Sequence, residues 1–299
     1  MKVRLAYQKL GKVRFLGHLD MARLWERGLR KARLPIAMSA GFTPRPKVSF
    51  GLALPTGAES LVELLDVTFD TGNPATGNLS TGNLGTGNLS TERDESSPID
   101  VSTLADRLSA ALPVGVDVID ADPVAPLAWS LQEDVTATTW VMAIDAPGVD
   151  LDVRISDILA SPEIWVERER KGERRRDDIR PGIIDLRRLT AVDGLPASWV
   201  DSLDAAGSAP VLVEATLTTS GRGVRPTEMA DVLRPGEDPW LTMPRVIRTH
   251  QWIGRDDAPR VSARAGKDNS HERRLEPRLE RFSREHEQRD NEQREQQPA

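Results

Sequence analysis

The chain has 299 residues, enough for two domains of ordinary size, each with its own core. It contains no cysteine, which excludes disulfides, thiolate zinc sites, cysteine nucleophiles and cysteine-ligated iron–sulfur clusters; the four histidines (His18, His250, His271, His286) argue against a His-based metal site. The net charge of -6 hides an asymmetry, because residues 1–60 carry 12 Lys/Arg against 3 Asp/Glu while residues 61–160 carry 3 against 17.

The first residues, MKVRLAYQKLGKVRF, are charged and hold no continuous apolar run. No stretch elsewhere approaches the ~20 apolar residues of a membrane span, so a cytoplasmic protein with no membrane partner is expected. Residues 2–7 alternate and predict a strand. Residues 18–33 predict a helix: Met21, Leu24, Trp25, Leu29 and Ala32 recur on one side, while Arg23, Arg27, Arg30 and Lys31 recur on another. Asp20 sits in its first turn and the cations sit late, as the helix dipole favours. Gly28 weakens the helix and points to a close packing contact.

Gly41, Pro44 and Pro46 break the next segment into a loop. Strands are expected at Lys47–Leu54 and Leu61–Phe69, a helix at 101–112 with Ser102 as its cap, and a strand at 115–124. The order strand–helix–strand–strand–helix–strand is that of a ferredoxin-like domain, assigned to residues 1–125. Residues 71–98 interrupt it with the run TGNPA-TGNLS-TGNLG-TGNLS, too short and polar to bury a core, and read as a surface loop.

A second α+β domain is expected over 130–254. It contains strands near 136–145, 182–192, 210–219 and 245–254, helices at 153–161 and 226–233, and an extended pair turning at Lys171-Gly172. From Arg255 the chain is Arg, Glu, Gln and Asp with few apolar residues, and a disordered charged tail is expected over 255–299. The fold class is therefore α+β: a ferredoxin-like N-terminal domain, a second α+β domain and the tail.

Three motifs stand together between Lys9 and Phe69: Gly17-His18-Leu19-Asp20 at the helix start, Gly41-Phe42-Thr43-Pro44-Arg45-Pro46-Lys47 in the loop, and Leu54-Pro55-Thr56-Gly57-Ala58-Glu59-Ser60 at the hairpin. Through them the chain resembles the radical-SAM-linked proteins of unknown function, the DUF2344 type. That family typically has His-Pro in place of Arg45-Pro46 and Ser in place of Gly17. Looser echoes are Arg180-Pro181, Arg225-Pro226 and Arg248-Thr249-His250-Gln251. The resemblance implies a separate radical-SAM protein as partner. A chain without cysteine is not itself the radical-SAM enzyme.

Two sets of side chains are candidates for function. Arg23, Arg27, Arg30 and Lys31, with Arg45 and Lys47 of the loop, form a possible phosphate-binding surface, since guanidinium donors fork onto two oxygens. The competing reading is a solvated helix face, or one neutralised by the acidic 61–160 stretch. His18 beside Asp20 is a possible general acid–base pair, weighed against a histidine that merely packs at the helix start. The charged run Glu167–Asp178 reads as an exposed hairpin tip, and Gly221-Arg222-Gly223 is a weak echo of a phosphate loop. The leading expectation is a non-catalytic RNA-binding accessory protein without a cofactor. The alternatives are a metal-independent RNA-processing or RNA-modifying enzyme using His18 and Asp20, and a protein-binding adaptor.

Overall fold

The computed structural model describes residues 1–70, 99–125, 130–170, 172–204, 210–253 and 261–262. The Thr-Gly-Asn repeat of 71–98 and nearly all of the charged tail, the subjects of the loop and disorder expectations, lie outside the described residues.

Alternation in the first segment gives strand β1 (Lys2–Lys9), with Val3, Leu5 and Tyr7 buried and the side chains between them half-buried. A 3-10 turn (Gly11–Phe15) leads into helix α1 (His18–Lys31). Met21, Leu24, Trp25 and Leu29 face the core at the expected spacing, each contributing about 1.5–3 kcal/mol of apolar burial. Gly28 is indeed a close contact, since a Cβ there would stand 2.6 Å from Leu112 Cδ2.

Strand β2 (Val48–Phe50) is shorter than expected, because the chain leaves the sheet after Gly51, whose N–H still donates to the Leu64 carbonyl at 2.9 Å, and the Leu52 carbonyl accepts from Arg248 at 3.2 Å. Strand β3 (Glu59–Thr68) is buried along nearly its whole length. The helix expected at 101–112 is a 3-10 turn (Val101–Thr103) running into α2 (Leu104–Ser109). Its cap is Asp100 rather than Ser102: the Asp100 carboxylate accepts from Ser102 N at 3.0 Å and Ser102 Oγ at 2.6 Å. A carboxylate satisfies two donors there, which one hydroxyl would not. Strand β4 (Val116–Pro123) ends the unit. The order β4-β1-β3, with β2 on the far edge of β3 and every pairing antiparallel, is the ferredoxin-like arrangement.

The same order recurs. A short helix α3 (Leu131–Asp134) precedes β5 (Val135–Ile144), α4 (Leu151–Ala160) and a hairpin of β6 (Trp165–Arg170) and β7 (Glu173–Asp178). Then come β8 (Ile183–Arg188), α5 (Ala197–Asp204), β9 (Val211–Thr218), α6 (Pro226–Leu233), α7 (Pro239–Thr242) and β10 (Arg245–Ile253). The order β10-β5-β9-β8 is again antiparallel throughout, so β5, β8, β9 and β10 occupy the places of β1, β2, β3 and β4. The hairpin is an insertion between α4 and β8. Two residues within the 255–299 stretch, β11 (Val261–Ser262), pair with β10.

The two units are not separate bodies, because β10 runs parallel to β3 through Ile247↔Glu59 and Arg248↔Ser60. One nine-stranded sheet results. Both units run the same way along it, so right-handed crossovers put their packed helices on one face. Beneath them lie one core holding Leu5, Trp25 and Leu108 and another holding Met142, Ile158 and Met229. On the opposite face Trp199 and Leu203 of α5 cover Leu61, Val141 and Ile247, one from each of the three strands around the junction. Among the described residues no helix is long and apolar enough to cross a membrane.

The junction is held by a buried ion pair. The Arg248 guanidinium donates to Glu63 through Nη2 (2.6 and 2.8 Å) and Nε (3.0 Å), and lies 5.1 Å from the Trp140 ring. Gln251 Nε2 adds a bond to the Val62 carbonyl at 2.8 Å. Losing one partner strands a charge in the interior, which typically costs about 3–5 kcal/mol. Glu63→Ala and Arg248→Ala are each expected to lose that much in urea unfolding, while the double change Glu63→Leu/Arg248→Met recovers most of it; single losses below about 1 kcal/mol would contradict the assignment.

Candidate nucleic-acid interface

The segment after α1 cannot continue a helix or join the sheet centrally, because Pro35, Pro44 and Pro46 each lack a backbone donor. It is nevertheless tied down. Ala37 N–H donates to the Thr68 carbonyl (2.9 Å), Thr68 N–H to Lys47 (3.0 Å) and Lys47 N–H to Ala37 (2.8 Å), which pins the loop base to the end of β3. Further out, Ser39 N–H donates to the Arg45 carbonyl at 2.8 Å and Arg45 N–H to Ser39 Oγ at 3.0 Å. Gly41 turns the tip at φ +127°, in the region that favours glycine.

Between this loop and the outer side of α1 runs a groove of about 490 Å³. Arg23 and Arg30 line it from the helix and Arg45 lines it from the loop, together with the apolar Leu19, Ile36 and Met38. Among the described residues, Glu26 is the one carboxylate on its lining. The three guanidiniums are exposed. Arg23 meets Asp20 at 3.4 Å, but both side chains are more than half exposed, and such an i,i+3 pair is weak and readily exchanged. Arg30 Nε bonds to the Glu26 carbonyl of its own helix, at 3.2 Å.

The six cations singled out from the sequence are thus divided by the fold. Arg23, Arg30 and Arg45 share the groove. Lys31 leans toward α2, with Nζ 3.5 Å from the Ala110 carbonyl, while Arg27 and Lys47 are exposed without lining the groove. Among the described residues, none of Arg27, Arg30, Lys31, Arg45 and Lys47 has a carboxylate within salt-bridge distance, whereas the acidic stretch meets other cations. Asp66 takes Lys2 (2.8 Å) and Arg4 (2.9 Å), Asp134 takes Arg4 (2.9 Å), Asp152 takes Arg188 (2.8 Å) and Glu63 takes Arg248. Asp117, Asp120 and Asp122 stand exposed on the edge strand β4, where charge protects an open edge.

His18 and Asp20 are not brought together. His18 lies edge-on to Phe50, ring centroids 5.2 Å apart, while Asp20 turns to Arg23. Residues two apart on a helix do not share a face, which is why adjacency in sequence misleads here. His18 also borders a cavity of about 20 Å³ with Tyr7, Lys9 and Glu63, space for one water rather than a substrate. There the Lys9 ammonium donates to the Leu16 carbonyl at 2.8 Å, and burial holds its pKa below the ordinary lysine range. Among the described residues no three His, Asp or Glu side chains gather as metal ligands would.

The other sequence candidates serve the fold. Arg222 donates to both oxygens of Glu228 (2.7 and 2.8 Å) and to Asp177 at 3.1 Å, joining the hairpin base to α6; it is no phosphate loop. In the hairpin Glu167 faces Arg176 and Glu169 faces Arg174 on the ladder, while the facing Arg168 and Arg175 turn to Asp177 (2.7 Å) and Glu173 (3.1 Å) respectively. Phe42, fully exposed beside the groove, and the exposed Leu19 and Met38 were not singled out from the sequence. Leu19 lies off the buried stripe of α1, and that offset was the available signal.

The profile of one protein family matches residues 2–81 and 75–226, well over half of the chain. The chain belongs to that family, DUF2344, described as an uncharacterized protein conserved in bacteria. No curated protein matches the sequence. The two DUF2344 matches meet inside the Thr-Gly-Asn repeat, and the first carries both walls of the groove.

Tyr7 provides a test of how tightly this half is packed. Its ring meets Trp25 at 4.9 Å, and burial, followed by the charge of Glu63, pushes its pKa far above the usual tyrosine value of about 10. Above that pH the unfolded chain loses the phenol proton and the folded chain keeps it, so stability falls as pH rises. The chain has a single tyrosine, so phenolate absorbance is expected to appear only together with unfolding. Ionisation near pH ~10 with the fold intact would show an accessible ring.

Proposed function

We propose that this chain is a non-catalytic RNA-binding accessory protein that holds phosphates in the groove between α1 and the 34–47 loop. The supporting observation is the convergence of Arg23, Arg30 and Arg45 on one groove, exposed and, among the described residues, with Arg23–Asp20 as their one loose carboxylate contact. Guanidiniums left in water by the fold, where Arg4, Arg180, Arg187, Arg222 and Arg248 are committed to carboxylates or carbonyls, suit a polyanion supplied from outside. The pinned loop keeps Arg45 in place before binding, which lowers the ordering cost. The partner in this reading is a separate radical-SAM protein, an inference from the family resemblance. It would contribute the cluster that a chain without cysteine cannot ligate, while this chain holds the RNA.

Binding of this kind is salt-dependent, with a slope of about -0.7 in log K against log salt for each phosphate contact to a single strand. The triple change Arg23→Gln/Arg30→Gln/Arg45→Gln is expected to weaken RNA binding strongly and to reduce the slope by about 2, read by fluorescence anisotropy across a salt series. Changing Arg174 and Arg176 of the hairpin to Gln is expected to leave the slope unaltered. The reverse pattern would move the interface to the hairpin, and no binding by the unaltered chain would remove the RNA reading.

A further inference from the structure

We infer that the groove takes an unpaired stretch of RNA, with a base stacked on Phe42 and the flanking phosphates on the three arginines; this rests on the RNA-binding reading above. A surface that only tracks a duplex needs cations, not a trough. Here Leu19, Ile36 and Met38 share the lining with the three arginines, and apolar side chains left open in a groove suit a ligand that brings an apolar surface to them. Bases in a duplex are already stacked and cannot make that contact, whereas unpaired bases splay out onto aromatic and guanidinium planes.

The volume points the same way. About 490 Å³ is the scale of a small-molecule pocket, suited to a nucleotide unit entering edgewise and far too small to seat a helix of paired strands. Phe42 stands next to Thr43, which lines the groove, and its ring is fully in solvent. The turn at Gly41 and the paired bonds between Ser39 and Arg45 hold this part of the loop, so the exposed ring sits on an ordered support. An aromatic face two or three residues from a guanidinium is the pairing that single-strand binders use, because every base has a face to stack and every linkage a charge to meet.

The test compares anisotropy titrations of the full chain with a labelled oligo(A) RNA and with a blunt RNA duplex of equal length, with polyglutamate as competitor. The single strand is expected to bind more tightly. Phe42→Ala is expected to weaken it about tenfold while leaving duplex binding unchanged, and Phe42→Trp to retain the affinity. Because Phe42 is outside the core, thermal melting of both variants is expected to match the parent. Equal binding of strand and duplex, or a neutral Phe42→Ala, would overturn the inference and leave RNA binding standing. Displacement of RNA by polyglutamate at matched charge would indicate an acidic protein segment as the occupant and overturn it also. If neither RNA binds, both this inference and the RNA reading fall.

Discussion

The parallel contact between β3 and β10 is the constraint on which the architecture rests. Only two residue pairs make it, and parallel pairing of that length is marginal on its own. What fixes it is chemistry around the ladder: Arg248 forked onto Glu63, Arg245 bonded to Glu59, and Gln251 on the Val62 carbonyl. A buried ion pair gains little net energy over an apolar contact, but it is intolerant of misalignment. A slip of one residue would turn Arg248 to the other face of the sheet and leave Glu63 alone in the core. The same edge of β3 also receives β2 near its other end, so the strand that carries Glu63 also anchors the groove loop through Thr68.

Duplicated topology gives each half the same opportunity, and the two halves use it differently. In both, the segment between the first helix and the second strand is elaborated. In the first half it is the proline-bearing loop that faces α1 across the groove. In the second it is the β6–β7 hairpin, where Arg168 is paired with Asp177 at 2.7 Å, Arg175 with Glu173 at 3.1 Å, and Arg176 lies over the Trp165 ring. The contrast shows why a count of arginines is a poor guide to a binding surface: the side chains matter by whether the fold has already given them a partner.

The echoes of the family pattern in the second half are explained by the same accounting. Arg180 donates to the carbonyls of Leu159, Ser161 and Ile183, closing the C-terminal end of α4. The Glu228 carboxylate accepts the Arg225 N–H at 2.9 Å, opening α6 at its proline. The run Arg248-Thr249-His250-Gln251 lies in the junction strand, where Thr249 bonds to the Thr139 carbonyl and His250 stacks on Trp252. At Leu54-Pro55-Thr56-Gly57 the Gly57 N–H reaches the Arg14 carbonyl at φ +93°. Of the motifs that carry the resemblance, Gly41–Lys47 and His18–Asp20 are the ones whose side chains the fold leaves largely facing solvent, and the groove runs between them.

Periodicity in the sequence was sufficient for the two α+β units, the first unit's topology, the buried stripe of α1 and the close contact at Gly28. Those features depend on neighbours within a turn or a strand, and local pattern records them directly. It was not sufficient for α5, whose Trp199 and Leu203 make sense only against a face shared by three distant strands, or for the cap at Asp100, where two hydroxyls and a carboxylate competed for the same role. Nor did it separate Arg23, Arg30 and Arg45 from Arg27, Lys31 and Lys47, or part His18 from Asp20. A one-dimensional reading assigns charge to a segment, whereas the screening of each charge depends on which carboxylates the folded chain brings near it. That pairing was decided by tertiary structure alone, because the ion pairs that absorb the acidic stretch span tens to nearly two hundred residues, from Arg4–Asp66 to Arg248–Glu63.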